Sequence, residues 1–257
     1  MKKKVFTALG LMTGTSMDGV DLSLIRSDGF TEFTSILNSF VEFDKDLQDK
    51  LLNLRDKLST VEDLNTYLSE IESLEREITI FHCEIINNVL KEKIDKVDLI
   101  GFHGQTIFHD SNQRISKQLG DGMLLSQLTK KIVINNFRKN DLDNGGQGAP
   151  LTPVFHKLIS NIISQKYKVN FPINIINIGG ITNLTSIVNN FGGTQLDLFA
   201  RDIGPGNCLI DEWIRKNSKN KFDLDGKIAK AGKLDNLILN QAIENFNIQS
   251  YDKSLDV

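Results

Sequence analysis

The sequence has few cysteines and no long apolar run. Its two cysteines, Cys83 and Cys208, lie far apart and form no Cys-x-x-Cys motif. A disulfide framework or a zinc site is therefore not expected, and a reducing compartment fits best. No apolar stretch reaches the length of a membrane-spanning helix, and the short one near the start leads into a polar turn, unlike a secretion signal. We expect a cytoplasmic protein with no membrane partner.

The sequence also lacks a block of basic residues. Its 257 residues carry 30 Lys and Arg against 33 Asp and Glu, which gives a net charge of −3. Nucleic-acid-binding proteins place many cations against phosphates, so no nucleic-acid partner is expected. With 40% hydrophobic residues, the chain is typical of a globular protein with one large domain or two smaller ones.

The first half of the chain has the element order of an α/β fold. Residues 5–12, 19–26 and 31–43 are rich in Val, Ile, Phe and Thr and predict three consecutive antiparallel strands. Leucines then recur at helical spacing over 44–57 and 61–93, which predicts core-facing amphipathic helices.

A strand–helix–strand unit follows at 97–102, 121–130 and 132–135. Together these elements predict a ribonuclease-H-like half with a mixed sheet flanked by helices. A glycine-rich segment then breaks the regular pattern. It predicts a boundary between a first lobe at 1–138 and a second lobe at 139–257.

The second lobe has fewer predicted strands than the first and looks incomplete. A helix is predicted at 151–165 and a strand at 173–178 that turns into a second strand. A further strand at 195–200 leads to a helix that contains Trp213, and a short helix at 234–246 closes the pattern. We expect two or three strands here, against about five in the first lobe.

Glycine-rich polar turns follow or join the apolar strands at five places. Open α/β sheets bind ligands where their strands end, so these turns indicate a cleft lined by backbone N–H groups and short polar side chains. The five turns lie at residues 14–19, 103–106, 143–150, 177–183 and 202–207.

The first turn, G-T-S-M-D-G, has the composition of a phosphate site. Glycines allow close approach, Thr15 and Ser16 offer hydroxyl and N–H donors, and Asp18 could hold a metal through water. The sequence has no G-x-x-x-x-G-K-[ST] motif, which excludes the usual P-loop. A polar β-hairpin turn explains the same residues, and both interpretations stay open.

Two later turns also allow two interpretations each. His103 ends an apolar strand and is either a buried structural histidine or a substrate ligand, while Gln105 is a candidate donor to a ligand hydroxyl. The segment 143–150 is either a hinge or a loop that wraps a ligand. Arg138 and Asp141, just upstream, favour the ligand because they could form a fixed polar frame.

Asp202 is the leading candidate for catalysis. It follows an apolar strand and precedes Gly-Pro-Gly, where a carboxylate can act as general base on a water or hydroxyl that takes part in phosphoryl transfer. Alternatively, Asp202 or Asn207 caps the following helix. No second acid completes a glycosidase pair by spacing.

Taken in order, these motifs resemble the anhydro-N-acetylmuramic acid kinases of the sugar-kinase/heat-shock/actin superfamily. The resemblance runs from residue 10 to about 213 and continues more weakly to 232. It is carried by G-L-M-T-G-T-S-M-D-G-V-D, H-G-Q-T-I-F-H, Q-L-G-D-G, N-N-F-R-K-N-D-L-D-N-G-G-Q-G-A-P-L-T-P, N-I-G-G-I-T-N-L-T and D-I-G-P-G-N-C-L-I-D-E-W.

The resemblance implies a two-lobed, actin/hexokinase-type fold and an ATP-dependent kinase. Such a kinase opens the 1,6-anhydro ring with water and phosphorylates O6, which gives N-acetylmuramic acid 6-phosphate for cell-wall recycling. It also implies Mg²⁺ as cofactor and a homodimer.

By position, the resemblance implies roles for individual residues. Asp202 matches the general base. The ATP phosphate segment matches Gly14, Thr15, Ser16, Met17, Asp18, Gly19, Val20 and Asp21, and the substrate cleft matches His103, Gln105, Arg138, Asp141, Gly145, Gly146, Gly204 and Asn207.

The chain departs from the family pattern in places. Ala200-Arg201 stands where the family usually has Gly-Phe, and Ile203 stands where it usually has Thr. Asp143-Asn144 stands where the family commonly has two alanines. Family members also continue beyond the closing K-S-L-D-V. We therefore keep two alternatives: a catalytically silent sugar- or nucleotide-binding remnant, and a phosphohydrolase of the same superfamily, which the sugar-kinase motifs disfavour.

Overall fold

The computed structural model describes residues 4–91, 96–110, 112–189 and 196–245. It divides the chain into two compact units, Met1–Phe171 and Pro172–Val257. The lobe boundary between residues 138 and 139 stays a prediction. Several residues at the ends of predicted elements lie outside the described ranges, namely 92, 93, 195, 246 and the closing 253–257.

The first unit is built on a five-stranded mixed sheet in the order β3-β2-β1-β4-β7. Its first three strands are antiparallel as predicted, and β4 and β7 run parallel to β1. This is the mixed sheet expected of an actin-like kinase. The strands of the unit are β1 (Phe6–Met12), β2 (Gly19–Ser27), β3 (Phe33–Glu42), β4 (Leu99–Phe102), β5 (Gln105–Asp110), β6 (Ile115–Leu119) and β7 (Ile132–Ile134).

The described residues of this unit form six α-helices beside the sheet. Asp44 begins the first of them by accepting a hydrogen bond from Leu47 N at 2.8 Å. The predicted helix at 61–93 is two helices, because the backbone leaves helical geometry at Tyr67. The helices are α1 (Lys45–Lys57), α2 (Val61–Thr66), α3 (Leu68–Leu90), α4 (Gly122–Thr129), α5 (Phe137–Asp143) and α6 (Pro153–Tyr167).

The core of the first unit lies between the sheet and helices α1 and α3. Leu9 and Leu11 alternate with exposed residues along β1, and Leu51 and Ile78 face them from the helices. Each fully buried side chain of this size contributes about 1.5–3 kcal/mol. The sheet that carries the first glycine turn therefore rests on a continuous apolar cluster.

Two elements of this unit differ from the prediction. The β5–β6 hairpin was not predicted; its connection is tightened by Asp110, which accepts hydrogen bonds from Asn112 N and Gln113 N. Helix α5 takes up residues read as the start of the glycine-rich break, and a Lys139–Asp143 ion pair at 2.9 Å spans one of its turns.

In its described residues, the second unit contains a three-stranded antiparallel sheet in the order β10-β9-β8, and the prediction was two or three strands. Among its described residues, Ile187 and Ile214 are the buried hydrophobic side chains. Its elements are β8 (Ile173–Ile178), β9 (Ile181–Asn189), β10 (Leu196–Pro205), α7 (Cys208–Asn217), α8 (Lys227–Ala231) and α9 (Asn236–Asn245).

Across the described parts of both units, no helix combines the length and the apolar character needed to cross a bilayer.

Candidate functional site

The first glycine turn connects β1 to β2, and the buried Met17 side chain anchors it to the core. Met17 adopts a left-handed backbone conformation with φ 52°, which directs its side chain into the core at 1% exposure. Its N–H donates to the Gly14 carbonyl at 3.2 Å. Thr15, Ser16 and Asp18 remain exposed, and the Ser16 hydroxyl donates to Asp18 Oδ1 at 2.6 Å. The turn thus presents polar groups on a fixed base.

The remaining predicted phosphate residues belong to β2. Gly19 is required by packing, because an added Cβ would collide with the Val41 carbonyl and the Phe40 ring. Val20 lies in the core and Asp21 is exposed. Partial burial and the negative charge of Asp18 raise the pKa of Asp21. Two carboxylates therefore share one region of negative potential beside the turn.

The second glycine turn is joined to the first by buried hydrogen bonds. The Thr13 hydroxyl, 2% exposed, donates to the Gly104 carbonyl at 2.6 Å. Gly104 itself has φ 71°, and a Cβ there would collide with the Leu119 carbonyl, so the position requires glycine. Residues 91 positions apart in the sequence are thereby fixed to each other.

Gln105 forms a second link between these turns. Its amide Nε2 donates to the Gly14 carbonyl and to the Thr106 carbonyl, both at 3.1 Å. The side chain is 1% exposed, and its Oε1 has no hydrogen-bond partner among the described residues. A buried acceptor without a donor is costly, and a hydrogen bond from a hydroxyl or a water would satisfy it.

His103 is held in a single neutral form. A carbonyl only accepts, so the 2.6 Å contact between Nδ1 and the Gly104 oxygen places the proton on Nδ1. Arginine only donates, so Nε2 must accept from Arg138 Nε at 2.9 Å. Burial, with the positive charge of Arg138, lowers the pKa of His103 to about 4. With both nitrogens engaged, the ring positions its neighbours.

The glycine-rich loop after α5 closes on Arg138. Arg138 Nη1 donates to the Gly148 carbonyl at 2.8 Å, and Gly148 N donates to Asp141 Oδ2 at 2.8 Å. Gly146 N donates to the Asp141 carbonyl at 2.8 Å, and a Cβ on Gly146 would collide with the Asp141 carboxylate. Arg138 and Asp141 thus form the fixed polar frame that the sequence predicts.

These contacts join three of the predicted turns into one network within the first unit. Gln105 bonds to Gly14, and Thr13 bonds to Gly104. His103 and Arg138 then connect Gly104 to the loop around Gly148. Gly145 lies at the exposed edge of that loop. The sequence pattern did not single out Thr13, although Thr13 lies inside the quoted motif of the first turn, whereas Gly148 belongs to the segment 143–150 that was a candidate ligand loop.

Asp202 lies inside β10, three residues before the strand ends, and is 8% exposed. It pairs with Asn183 of β9, and the register shifts between Asp202 and Gly204, which has φ 149°. Bulges of this kind redirect side chains next to functional sites. Helix α7 has Asn207 at its N-cap position, and the Asn207 side chain forms no capping bond there.

The two glycine turns of the second unit are bonded to each other. Gly206 N donates to the Gly180 carbonyl at 2.8 Å, and Asn207 N donates to the Gly179 carbonyl at 2.7 Å. A Cβ on Gly206 would collide with the Gly179 carbonyl. The Asn207 side chain reaches the Ile178 carbonyl at 3.4 Å. These contacts fix the backbone that follows Asp202.

Within the described ranges, His, Cys, Asp and Glu side chains form no group of three or more that could hold a metal. Asp18 and Asp21 provide two carboxylates, which is fewer ligands than such a group but enough for a site that a substrate completes. Mg²⁺ commonly binds one or two protein carboxylates together with substrate phosphates, and the exposed carboxylates beside the first turn fit that pattern.

A family model described as anhydro-N-acetylmuramic acid kinase matches residues 6–254. Proteins named anhydro-N-acetylmuramic acid kinase from Pelagibacter ubique, Rhizobium etli and Agrobacterium fabrum are 49%, 36% and 35% identical to the chain. These alignments cover 98%, 90% and 89% of the chain. The chain spans 66%, 61% and 60% of the lengths of these relatives.

Proposed function

Because the chain belongs to the anhydro-N-acetylmuramic acid kinase family, we propose that it phosphorylates 1,6-anhydro-N-acetylmuramic acid with ATP and water. The products are N-acetylmuramic acid 6-phosphate and ADP. The observation that carries the proposal is the network of the first unit. It connects the turn assigned to ATP phosphates with the residues assigned to the sugar.

In the proposed reaction, water attacks C1 of the sugar and gives one proton to the Asp202 carboxylate. The C1–O6 bond breaks, and O6 forms a bond to the γ-phosphorus as the bond from that phosphorus to the β–γ bridging oxygen breaks. A general base of this kind contributes about 10²–10⁴-fold to the rate. The position of Asp202 on an ordered bulge, beside bonded glycine turns, supports this role.

The ATP phosphates are assigned to the turn that begins at Gly14. Its exposed Thr15 and Ser16 provide hydroxyl donors, and Met17 keeps the turn in place through the core. Asp18 and Asp21 would hold Mg²⁺ beside the phosphates. Bound there, Mg²⁺ would neutralise phosphoryl charge during transfer.

The sugar is assigned to the frame around Gln105, Arg138 and Asp141. Gln105 Oε1 can accept from a sugar hydroxyl, and the Arg138 guanidinium can bind an anionic group. His103 acts through Arg138, whose direction it fixes. The loop at Gly145 and Gly146 borders this frame.

The family resemblance further suggests a cytoplasmic homodimer for cell-wall recycling. Multi-angle light scattering on the purified protein measures the oligomeric state directly. A mass of two chains agrees with this expectation, and a mass of one chain contradicts it.

The activity is tested by incubating the protein with ATP, Mg²⁺ and the anhydro sugar. We expect ADP and a 6-phosphosugar in equal amounts, formed only when the sugar is present. ADP and phosphate without sugar would indicate a phosphohydrolase. Binding of ATP and sugar without products would indicate a silent remnant. The absence of both binding and products would contradict the family activity in this chain.

A further inference from the structure

The segment 118–122, with the sequence Q-L-G-D-G, packs against the H-G-Q-T turn of the candidate site. A Cβ added to Gly104 would collide with the Leu119 carbonyl. A Cβ added to Gly120, whose φ is 148°, would collide with the Phe102 ring and lie 3.3 Å from the Gly104 Cα. Backbone therefore lies directly against backbone here, and the segment cannot move without displacing the turn.

Helix α3 holds this segment through two successive backbone N–H groups. Asp121 N donates to Thr79 Oγ1 at 2.9 Å. Gly120 N donates to Glu75 Oε1 at the longer distance of 3.4 Å, and the same oxygen accepts from Lys117 Nζ at 2.7 Å. The principal attachment of the segment to α3 is therefore the bond to Thr79.

The Thr79 hydroxyl both donates and accepts at a fully buried position. Its proton goes to the Glu75 carbonyl one turn earlier at 2.6 Å, so its oxygen accepts from Asp121 N. The residue is 0% exposed, and loss of the hydroxyl would leave the Asp121 N–H without this acceptor. Thr129 is also buried, but its hydroxyl donates to the Leu125 carbonyl within α4. The Thr79 hydroxyl thus joins two elements, whereas the bond of Thr129 stays within one.

The turn that the segment supports carries a shared hydrogen-bond acceptor. The Gly104 carbonyl accepts from Thr13 Oγ1 and from His103 Nδ1, each at 2.6 Å. Thr13 directly precedes the turn assigned to ATP, and His103 accepts from Arg138 of the frame assigned to the sugar. The position of one carbonyl oxygen therefore affects both parts of the candidate site.

We propose that Thr79 is a positioning residue, which holds the Gly104 carbonyl in place through the 118–122 segment. Its effect on catalysis rests on the proposed function, whereas its effect on geometry does not. A purely structural threonine would change only the free energy of unfolding. A positioning threonine changes the site in molecules that remain folded.

The first test measures the geometry at His103 and requires no substrate. In protein labelled with ¹⁵N-histidine, NMR detects the Nδ1–H proton, whose resonance depends on the length of the bond to Gly104. His103→Gln assigns the resonance by its loss. Thr79→Val should move it upfield because the hydrogen bond lengthens, and Thr79→Ser should return it because serine keeps the hydroxyl. A resonance that stays in place or moves downfield in Thr79→Val would overturn the inference.

The unaltered protein gives a measurement that does not depend on how a variant folds. Asp121 is exposed, yet its amide donates to a fully buried hydroxyl. We expect this amide to exchange slowly with solvent deuterium. Exchange as fast as that of an unstructured amide would overturn the inference.

Steady-state kinetics test the consequence for the reaction. Thr79→Val should lower kcat/KM about tenfold, and Thr79→Ser should restore most of it. Because Thr79 and Thr13 act on the same carbonyl, the losses in Thr79→Val and Thr13→Val should not add in the double variant. Thr129→Val is the matched control and should leave kcat/KM unchanged. Equal losses in Thr79→Val and Thr129→Val, or full additivity with Thr13→Val, would contradict the positioning role.

Failure of the inference is distinguishable from failure of the proposed function. If Thr79→Val moves the His103 resonance upfield but the unaltered protein has no turnover, the proposed function fails and the positioning role stands. If the unaltered protein turns over and the resonance stays in place in Thr79→Val, the positioning role alone fails.

Discussion

The two units support their candidate residues in different ways. In the first unit, a continuous apolar cluster that includes Leu9, Leu51 and Ile78 lies under the strands that carry the network. In the second, the described residues bury few apolar side chains, and Asp202 is held by strand register and backbone hydrogen bonds. The candidate frame of Arg138 and Asp141 therefore belongs to a unit held by side-chain packing, whereas the candidate base depends on backbone geometry.

The largest expected effect concerns the second unit. Asp202→Asn keeps the shape of the side chain but removes its basicity, so turnover should fall about 10³-fold with little change in stability. The matched control is Asp197→Asn, an exposed position on the same strand. A coupled ADP assay measures both variants. Full activity of Asp202→Asn would show that Asp202 of the second unit is not the general base.

A second pair of substitutions tests the difference in packing itself. Leu51→Ala leaves a cavity at a fully buried position, and the free energy of unfolding of the first unit should fall by about 3 kcal/mol. Leu237 is 68% exposed in the second unit, so Leu237→Ala should change the free energy of unfolding of that unit by less than about 0.5 kcal/mol. Urea denaturation measures both variants. Equal losses of stability would contradict the difference in packing between the two units.

The sequence predicted the turns of the site better than it predicted their contacts. Glycines at strand ends, and Arg138 and Asp141 just before the glycine-rich segment, are local signals. The Thr13–Gly104 bond joins positions 91 residues apart, which no local pattern reports. Helix α5 was missed because its few residues precede a glycine-rich loop. Gly19 was assigned to phosphate binding, although its packing against β3 already requires glycine.

A third prediction concerns the pH dependence of the first unit. His82 lies in the core against Phe102, and burial lowers its pKa to about 4. The unfolded chain, with a histidine pKa near 6.5, binds the proton more readily, so stability is lost as the pH falls from 6.5 toward 4. Between pH 7 and pH 5, His82 alone should cost about 2 kcal/mol.

Urea denaturation at the two pH values measures this effect. His82→Leu should reduce the difference between pH 7 and pH 5 by that amount, because it removes the titrating group. His156→Leu, at a less buried histidine of α6, serves as the comparison and should change the difference less. An unchanged pH dependence in His82→Leu would contradict the neutral core histidine.

The smallest expected effect concerns the bond between the first two turns. Thr13→Val removes the hydroxyl that holds the Gly104 carbonyl, and misplacement of the turn should lower kcat/KM about tenfold. Thr13→Ser keeps the hydroxyl and should restore most of it. Thr129→Val also removes a buried hydroxyl, which donates to the Leu125 carbonyl within α4, and it should leave kcat/KM unchanged. Steady-state kinetics compare the three, and equal losses in Thr13→Val and Thr129→Val would exclude a positioning role.

The most direct test of the account follows the oxygen of water through one turnover. The protein is supplied with ATP, Mg²⁺ and 1,6-anhydro-N-acetylmuramic acid in ¹⁸O-labelled water, and the sugar product is analysed by mass spectrometry. We expect a 6-phosphosugar with one ¹⁸O atom at C1 and none in its phosphate. Label in free phosphate, with the anhydro sugar unchanged, would contradict the account.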